Sequence, residues 1–307
     1  MRYLARCVLL FLCLWLPSLH LGAQPAAQPP FSERQLDQAA AYGPLFAFSK
    51  AGRTHYLYGT MHIGKPEYAV PDRALWRALQ DSDALLVEID PGERDTLTEL
   101  LNQAQRNAAG QWRLLTEENR RIMRQLAPRE VSAEQLRRFA PGLWLSQLAV
   151  GEFRKSGLSP DYGRDMQLLS LARRQGRKVV ALETARQQGE LLLKLPAGAL
   201  NDWVRQTRDW QGDQAEAYNQ TLIQAWERGD LAALQAMIEQ PGYEKFGAWM
   251  QEVMLDRRNL AMAEGIERLA SAQRVFVAVG ALHLAGPQGL VRLLRQRGYA
   301  VKAVDRS

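Results

Sequence analysis

The sequence predicts an α/β fold: a central mixed sheet built from an N-terminal and a C-terminal β-GxxH-α-β unit, with a largely helical middle insertion over about residues 97–270. Three observations carry this. Short apolar runs at residues 55–58 and 275–279 each lead straight into a glycine followed three residues later by a histidine, in GTMHIG and in GALHLAG. Behind each histidine come apolar residues at helical spacing and then a second apolar run. The long segment between the two units has mostly helical periodicity.

The chain opens with a basic start, MRYLAR, an apolar core, CVLLFLCLWLPSLHL, and a small-residue, proline-rich exit, GAQPAAQPP, which is the pattern of a secretory signal peptide. The apolar run covers residues 7–21 and contains Pro17, whereas a membrane-spanning helix needs roughly 20 apolar residues. Cleavage is expected near Ala23, with Ala27 as second choice. Residues 1–23 are then the leader, 24–30 a Pro/Ala/Gln linker and 31–307 one folded domain. An uncleaved anchor is the alternative. On either reading the bulk of the chain is periplasmic or secreted, and no stable membrane span is expected after cleavage.

In the first unit, residues 55–58 (HYLY) lie between Gly52 and Gly59 and read as a buried strand. Ala74, Leu75, Ala78 and Leu79 recur at helical spacing behind Pro71, placed as a helix start favours. Residues 84–90 (ALLVEID) then read as a core strand. In the middle, Ser132-Ala133-Glu134-Gln135 has the form of a capping box and Gly157 that of a helix stop. One strand interrupts the helices: residues 178–183 (KVVALE) follow a helix over 165–175 and end in a carboxylate. Trp112, Trp144, Trp203, Trp210, Trp226 and Trp249 fall in this segment and read as helix-packing core rather than a ligand cage. In the last unit, Leu290, Val291, Leu293 and Leu294 give a helical apolar face, Gly298 stops that helix, and residues 299–304 form a final strand before Asp305.

Composition excludes several functions. Both cysteines, Cys7 and Cys13, lie in the leader, so the mature chain has no thiol nucleophile, Cys-ligated zinc or disulfide. The net charge is +6, and removing Arg2 and Arg6 with the leader brings it to +4. The basic residues come as scattered doublets, such as Arg120-Arg121 and Arg173-Arg174, which read as solvated helix faces and not as a nucleic-acid footprint. Residues 59–65 spell GxxxxGK, but Pro66 stands where a phosphate-binding loop needs a hydroxyl for Mg²⁺. GxSxG and HExxH are both missing.

Of the four histidines, His20 is in the leader, His55 reads as a satisfied core histidine inside a strand, and His62 and His283 occupy equivalent places just past a strand's carboxyl end. That edge is where α/β sheets bind ligands. The glycine before each permits a sharp turn or a close backbone approach, and neutral imidazole binds transition metals or moves protons near neutral pH. A metal site wants a third ligand and an open position for water. Without thiols the candidates are Glu88, which is the first choice, Asp90, which strand alternation puts on the same side, Glu183, Asp165 and Asp305.

The blocks YLYGTMHIG, LLVEID, GRDMQLLSLARRQGRKVVALET, RRN and FVAVGALHLAGPQGLVRLLRQRGY, in that order, resemble the successive motifs of the TraB/GumN family, which includes the Tiki proteases. The resemblance runs from about Thr54 to the C-terminus. It implies a fold related to the erythromycin esterase and ChaN group, and it implies the paired histidines, a glutamate and an arginine as functional residues. These fall on His62, His283, Glu88 and, within RRN, Arg258. Tiki-like members are metal-dependent proteases, so the resemblance implies a hydrolase, peptidase-like, with a divalent ion (manganese, cobalt or zinc) held by His62, His283 and Glu88. On that reading Arg258 stabilises the oxyanion and Glu183 or Asp165 moves the proton. The expected partner is a peptide or small-molecule substrate, with no nucleic acid. The rival reading is a non-enzymatic periplasmic binding or regulatory protein on the same fold.

Overall fold

The computed structural model describes residues 30–90 and 96–306, so the expected leader, with Cys7 and Cys13, lies outside the described residues. The sheet has six strands: β1 (Leu45–Lys50), β2 (Arg53–Thr60), β3 (Ala84–Val87), β4 (Lys178–Ala181), β5 (Val275–Gly280) and β6 (Ala300–Ala303), in the order β4-β3-β5-β2-β1-β6. β4, β3, β5 and β2 are mutually parallel, and β1 runs antiparallel to both β2 and β6. The sheet is therefore mixed, as the sequence predicts. The two GxxH strands lie side by side, with Thr60 opposite Gly280. β5 also separates β2 from β3, so the C-terminal unit is inserted into the N-terminal one.

The central strands are buried on both faces, which is why ALLV and VFVAVG show no polar alternation. On one face Leu57, Leu86 and Val277 pack with Met262, Ile266, Leu290 and Leu294 from the helices Arg257–Ala270 and Leu290–Gln296. On the other, Tyr58, Leu85 and Phe276 pack with Leu75, Leu79, Leu168 and Trp226. A third cluster sits almost entirely within the helical middle, around Leu100, Trp112, Trp144, Leu145 and Trp203, and takes in Ile89 from just past β3.

Local signals hold where the sequence places them. Ser132 and Gln135 form the capping box, and Gly157 and Gly298 take φ of 75° and 83° past their helices; the helix Arg73–Gln80 starts just past Pro71, with Asp72 as its cap accepting from the Leu75 N–H. Two features differ. β1 is not anticipated; it pairs with β2 through a tight turn at Ala51 and Gly52, both at positive φ (52° and 76°), as a two-residue hairpin of that hand demands. β3 ends at Val87, so strand alternation does not reach Asp90. Among the described residues no helix is long and apolar enough to cross a membrane.

Candidate active site

His62 and His283 meet over Gly280. A Cβ built on that glycine would lie 3.9 Å from His62 Nε2, 3.7 Å from His283 Cδ2 and 3.2 Å from Glu88 Oε1. Neither Gly59 nor Gly280 has positive φ, so of the two roles open to the motif glycine it is close approach that applies. At Gly59 a Cβ would come within 2.9 Å of the Ala281 backbone, and the carbonyl of Gly59 accepts the buried Trp226 indole N–H at 2.9 Å.

Each imidazole is fixed from behind. His62 Nδ1 is 3.1 Å from Asp165 Oδ2, and His283 Nδ1 is 2.7 Å from Asn259 Oδ1. The Asn259 amide is oriented by its Nδ2 donating to Gln288 O at 2.9 Å, which leaves Oδ1 to accept. Both Nδ1 atoms then carry the proton; His62 Nε2 lies on the Gly280 side of its ring, and His283 Nε2 lies 3.6 Å from Glu88 Oε2. Histidines that ligate metal or take up protons are supported in this way. Burial pushes His283 down to about 3, helped by Arg258 and His62 and opposed by Glu88, so the ring is neutral at physiological pH.

Asp165 reaches His62 by a route hidden in the sequence. The GTMHIG loop is laced to residues 159–164: Gly64 and Ser159 exchange both backbone bonds at 2.9 Å, and the Arg164 N–H donates to Met61 O at 2.9 Å. A Cβ at Gly64 would meet Tyr162 O at 2.1 Å and one at Gly163 would meet His62 O at 2.6 Å, so both glycines are needed for the approach. Lys65 Nζ donates to Glu227 at 3.0 Å and a short 3₁₀ turn, Pro66–Ala69, follows. The GxxxxGK string is thus no phosphate loop.

Glu88, Glu183 and Arg258 form one buried cluster. Backbone bonds Leu182 N to Val87 O and Glu183 N to Glu88 O, both 2.8 Å, carry the β3–β4 pairing past the strands and set the two glutamates side by side. Arg258 grips Glu183 with Nε at 2.8 Å and Nη2 at 2.6 Å, and Nη2 also lies 2.6 Å from Glu88 Oε2. Its Nη1 donates to Met254 O at 2.9 Å. Glu88 Oε1 accepts the Gly280 N–H at 2.6 Å, and Oε2 is 3.6 Å from His283 Nε2. Burial alone disfavours the Glu88 charge, but His283, Arg258, His62 and the Gly280 N–H together hold its carboxyl well below the ordinary range. Burial likewise opposes the Arg258 charge, and the two carboxylates outweigh it and keep it protonated.

The residues expected from the sequence divide as follows. His62, His283, Glu88 and Arg258 all line one cavity of about 360 Å³. Asp165 acts through His62, and Glu183 holds Arg258 from outside that cavity. Asp90 pairs with Arg173 because the strand ends before it, and Asp305 is exposed beyond β6. His55 is buried with Nδ1 accepting the Val275 N–H, a core histidine as expected. Of the tryptophans, Trp112, Trp144 and Trp226 donate into the core, but Trp203 and Trp210 also line the cavity, which corrects their assignment to core packing alone. Asn259 and Gln188, whose Nε2 donates to Glu183 at 3.1 Å, are missed by sequence reasoning. The RRN block already holds Asn259, one residue past Arg258.

The donors suit a divalent ion in kind: two neutral imidazole nitrogens and a carboxylate. Two ligands on one tetrahedral ion stand roughly 3.3 Å apart given bonds near 2 Å, close to the His283–Glu88 separation. The shell is not closed, because Arg258 shares the Glu88 oxygen that would complete it. Among the described residues no group of three or more His, Cys, Asp or Glu side chains is placed to hold a metal ion.

Comparison with known proteins agrees with the motif blocks. The sequence profile of the TraB/PrgY/gumN family matches residues 44–303. The chain is 29% identical over 258 residues to the uncharacterized protein YbaP of Escherichia coli (strain K12), covering 82% of this chain and 92% of YbaP. It is equally similar to YbaP of Shigella flexneri. No solved structure matches significantly. The family match spans both GxxH units and everything between them, and the chain belongs to the TraB/PrgY/gumN family.

Proposed function

We propose that this protein is an exported, metal-dependent hydrolase of a carbonyl substrate, peptide or ester. One observation carries the reading: the His62 and His283 rings, each fixed at Nδ1 by an oxygen, lie against the same glycine, Gly280, beside an ionised glutamate in the wall of one cavity. His62 Nε2, His283 Nε2 and Glu88 Oε2 would hold the ion, manganese, cobalt or zinc. When bound, it would supply Lewis acidity toward the carbonyl and the attacking water.

The chain's own residues supply the rest. Asp165 and Asn259 orient the rings. Arg258 commits four of its five N–H groups to Glu88, Glu183 and Met254 O, leaving one on Nη1 for developing negative charge on the substrate oxygen. Asp165 accepts the Nδ1 proton of His62 and so strengthens Nε2 as a donor nitrogen. Glu183 is a positioning residue, because its bidentate grip fixes the plane of Arg258. The cavity also suits a binding protein that lacks turnover. Hydrolysis of a peptide and ester panel by the metal-supplemented protein separates the two: turnover lost in His62→Ala and in His283→Ala supports the hydrolase, and binding without turnover in wild type supports the carrier.

A further inference from the structure

Resting on that hydrolase reading, we infer the substrate class: an uncharged ester or amide whose acyl part is a long apolar chain, seated in the cavity with its carbonyl at His62 and His283. The cavity of about 360 Å³ runs from the histidines into the helical insertion, within the range of small-molecule sites. Its polar machinery is gathered where His62, Glu88, Arg258 and His283 converge. Along the rest of the wall apolar side chains such as Ile63, Val150, Phe153, Leu192 and Leu222 predominate, and some polar ones are turned back on the fold. Ser146 Oγ donates to Gly142 O and Thr207 Oγ1 to Trp203 O, both at 2.8 Å, and Asn219 Nδ2 donates to Ser156 Oγ at 3.1 Å.

Three features select an acyl chain. A peptide running into the cavity would bring a backbone N–H and C=O with every residue, each needing a partner, and a mostly apolar wall offers few. Met61, Met237, Met250 and Met254 line the space, and thioether side chains adapt to a flexible occupant better than branched ones do. The site sets one guanidinium against the carboxylates of Glu88, Glu183 and Asp165, so a negatively charged head finds no excess of positive charge.

The experiment is a chain-length series on the metal-supplemented full chain. With p-nitrophenyl acetate, butyrate, octanoate and dodecanoate, kcat/KM should rise at least tenfold from the first to the last. Ala149→Trp, which puts a bulky ring into the wall, should lower the dodecanoate-to-acetate ratio at least tenfold. Binding is read separately: methyl 12-bromododecanoate should quench tryptophan fluorescence in wild type, and much less in the Trp203→Phe, Trp210→Phe double variant. If Ala149→Trp loses its cooperative melt, the quenching decides. Quenching without hydrolysis of any ester removes the hydrolase reading and keeps the acyl-chain occupant. Acetate hydrolysis with no gain in length and no quenching overturns the acyl-chain proposal and leaves the hydrolase. Quenching by an apolar peptide but not by the bromoester also overturns it.

Discussion

His283 Nδ1 lies 2.7 Å from Asn259 Oδ1, and Asn259 is itself tied to Gln288 O. That bond chooses the tautomer that leaves Nε2 bare. Asn259→Ala should strand a buried N–H, at a cost of about 1–3 kcal/mol, and lower affinity for the divalent ion about 10–100-fold. Urea denaturation and calorimetric metal titration give the two numbers. Unchanged metal affinity in a destabilised variant would make Asn259 a packing residue only.

Arg258 shows where sequence and structure weigh one residue differently. From sequence it is an oxyanion donor whose loss costs rate. In the structure it is the cation between two buried glutamates, so Arg258→Ala should destabilise the fold by about 3–5 kcal/mol, because it leaves uncompensated buried charge. Arg258→Met combined with Glu88→Gln and Glu183→Gln should recover much of that loss without restoring activity. Denaturation of the single and triple variants decides it, and an Arg258→Ala chain as stable as wild type contradicts the cluster.

His55 gives a pH dependence independent of the candidate site. Burial, with Arg53 acting the same way, lowers it from 6.5 to about 4. The unfolded chain takes up this proton near pH 6.5 and the folded one does not, so the stabilisation is complete above about pH 7 and is lost as pH falls from about 6.5 through 4. At about 1.4 kcal/mol per pH unit the loss approaches roughly 3 kcal/mol. Between pH 7.5 and 4.5, His55→Gln should lose about 2 kcal/mol less stability than wild type; equal losses would show that His55 does not carry the effect.

Much of this was legible in particular residues. HYLYG, ALLV and VFVAV declare themselves as strands because strands inside the sheet are mostly apolar, KVVA does so at the sheet edge through its paired valines, and both motif histidines sit where the two GxxH strands end. β1 was not legible: Leu45–Lys50 buries only Leu45 and Phe48, a spacing of three, which matches no strand alternation. The strand order was hidden as well, since nothing local says that β5 comes between β2 and β3. Glu88 and Arg258 were legible through the motif blocks, but the Glu88–Arg258–Glu183 cluster was not, because it depends on two backbone bonds beyond the ends of β3 and β4. The Asp165–His62 contact depends on a bridge between Gly64 and Ser159, residues far apart in sequence.

Export is tested by intact mass of the protein recovered from the periplasm. The expected N-terminus is near Gln24, with Gln28 as the second choice. A mass that retains Met1, in a membrane fraction, would establish an anchored chain instead.

Thermal melts of wild type, His62→Ala and His283→Ala with and without Mn²⁺, Co²⁺ or Zn²⁺ bear directly on the paired histidines. A ligand bound only by the native state stabilises it by about 2.7 kcal/mol at a hundred times its Kd, a shift of several degrees. At least one of these ions should raise the wild-type midpoint, and the same ion should leave both variants unmoved while their melts stay cooperative. A wild-type midpoint indifferent to all three ions, or variants that respond as wild type does, would contradict a metal centre at His62 and His283.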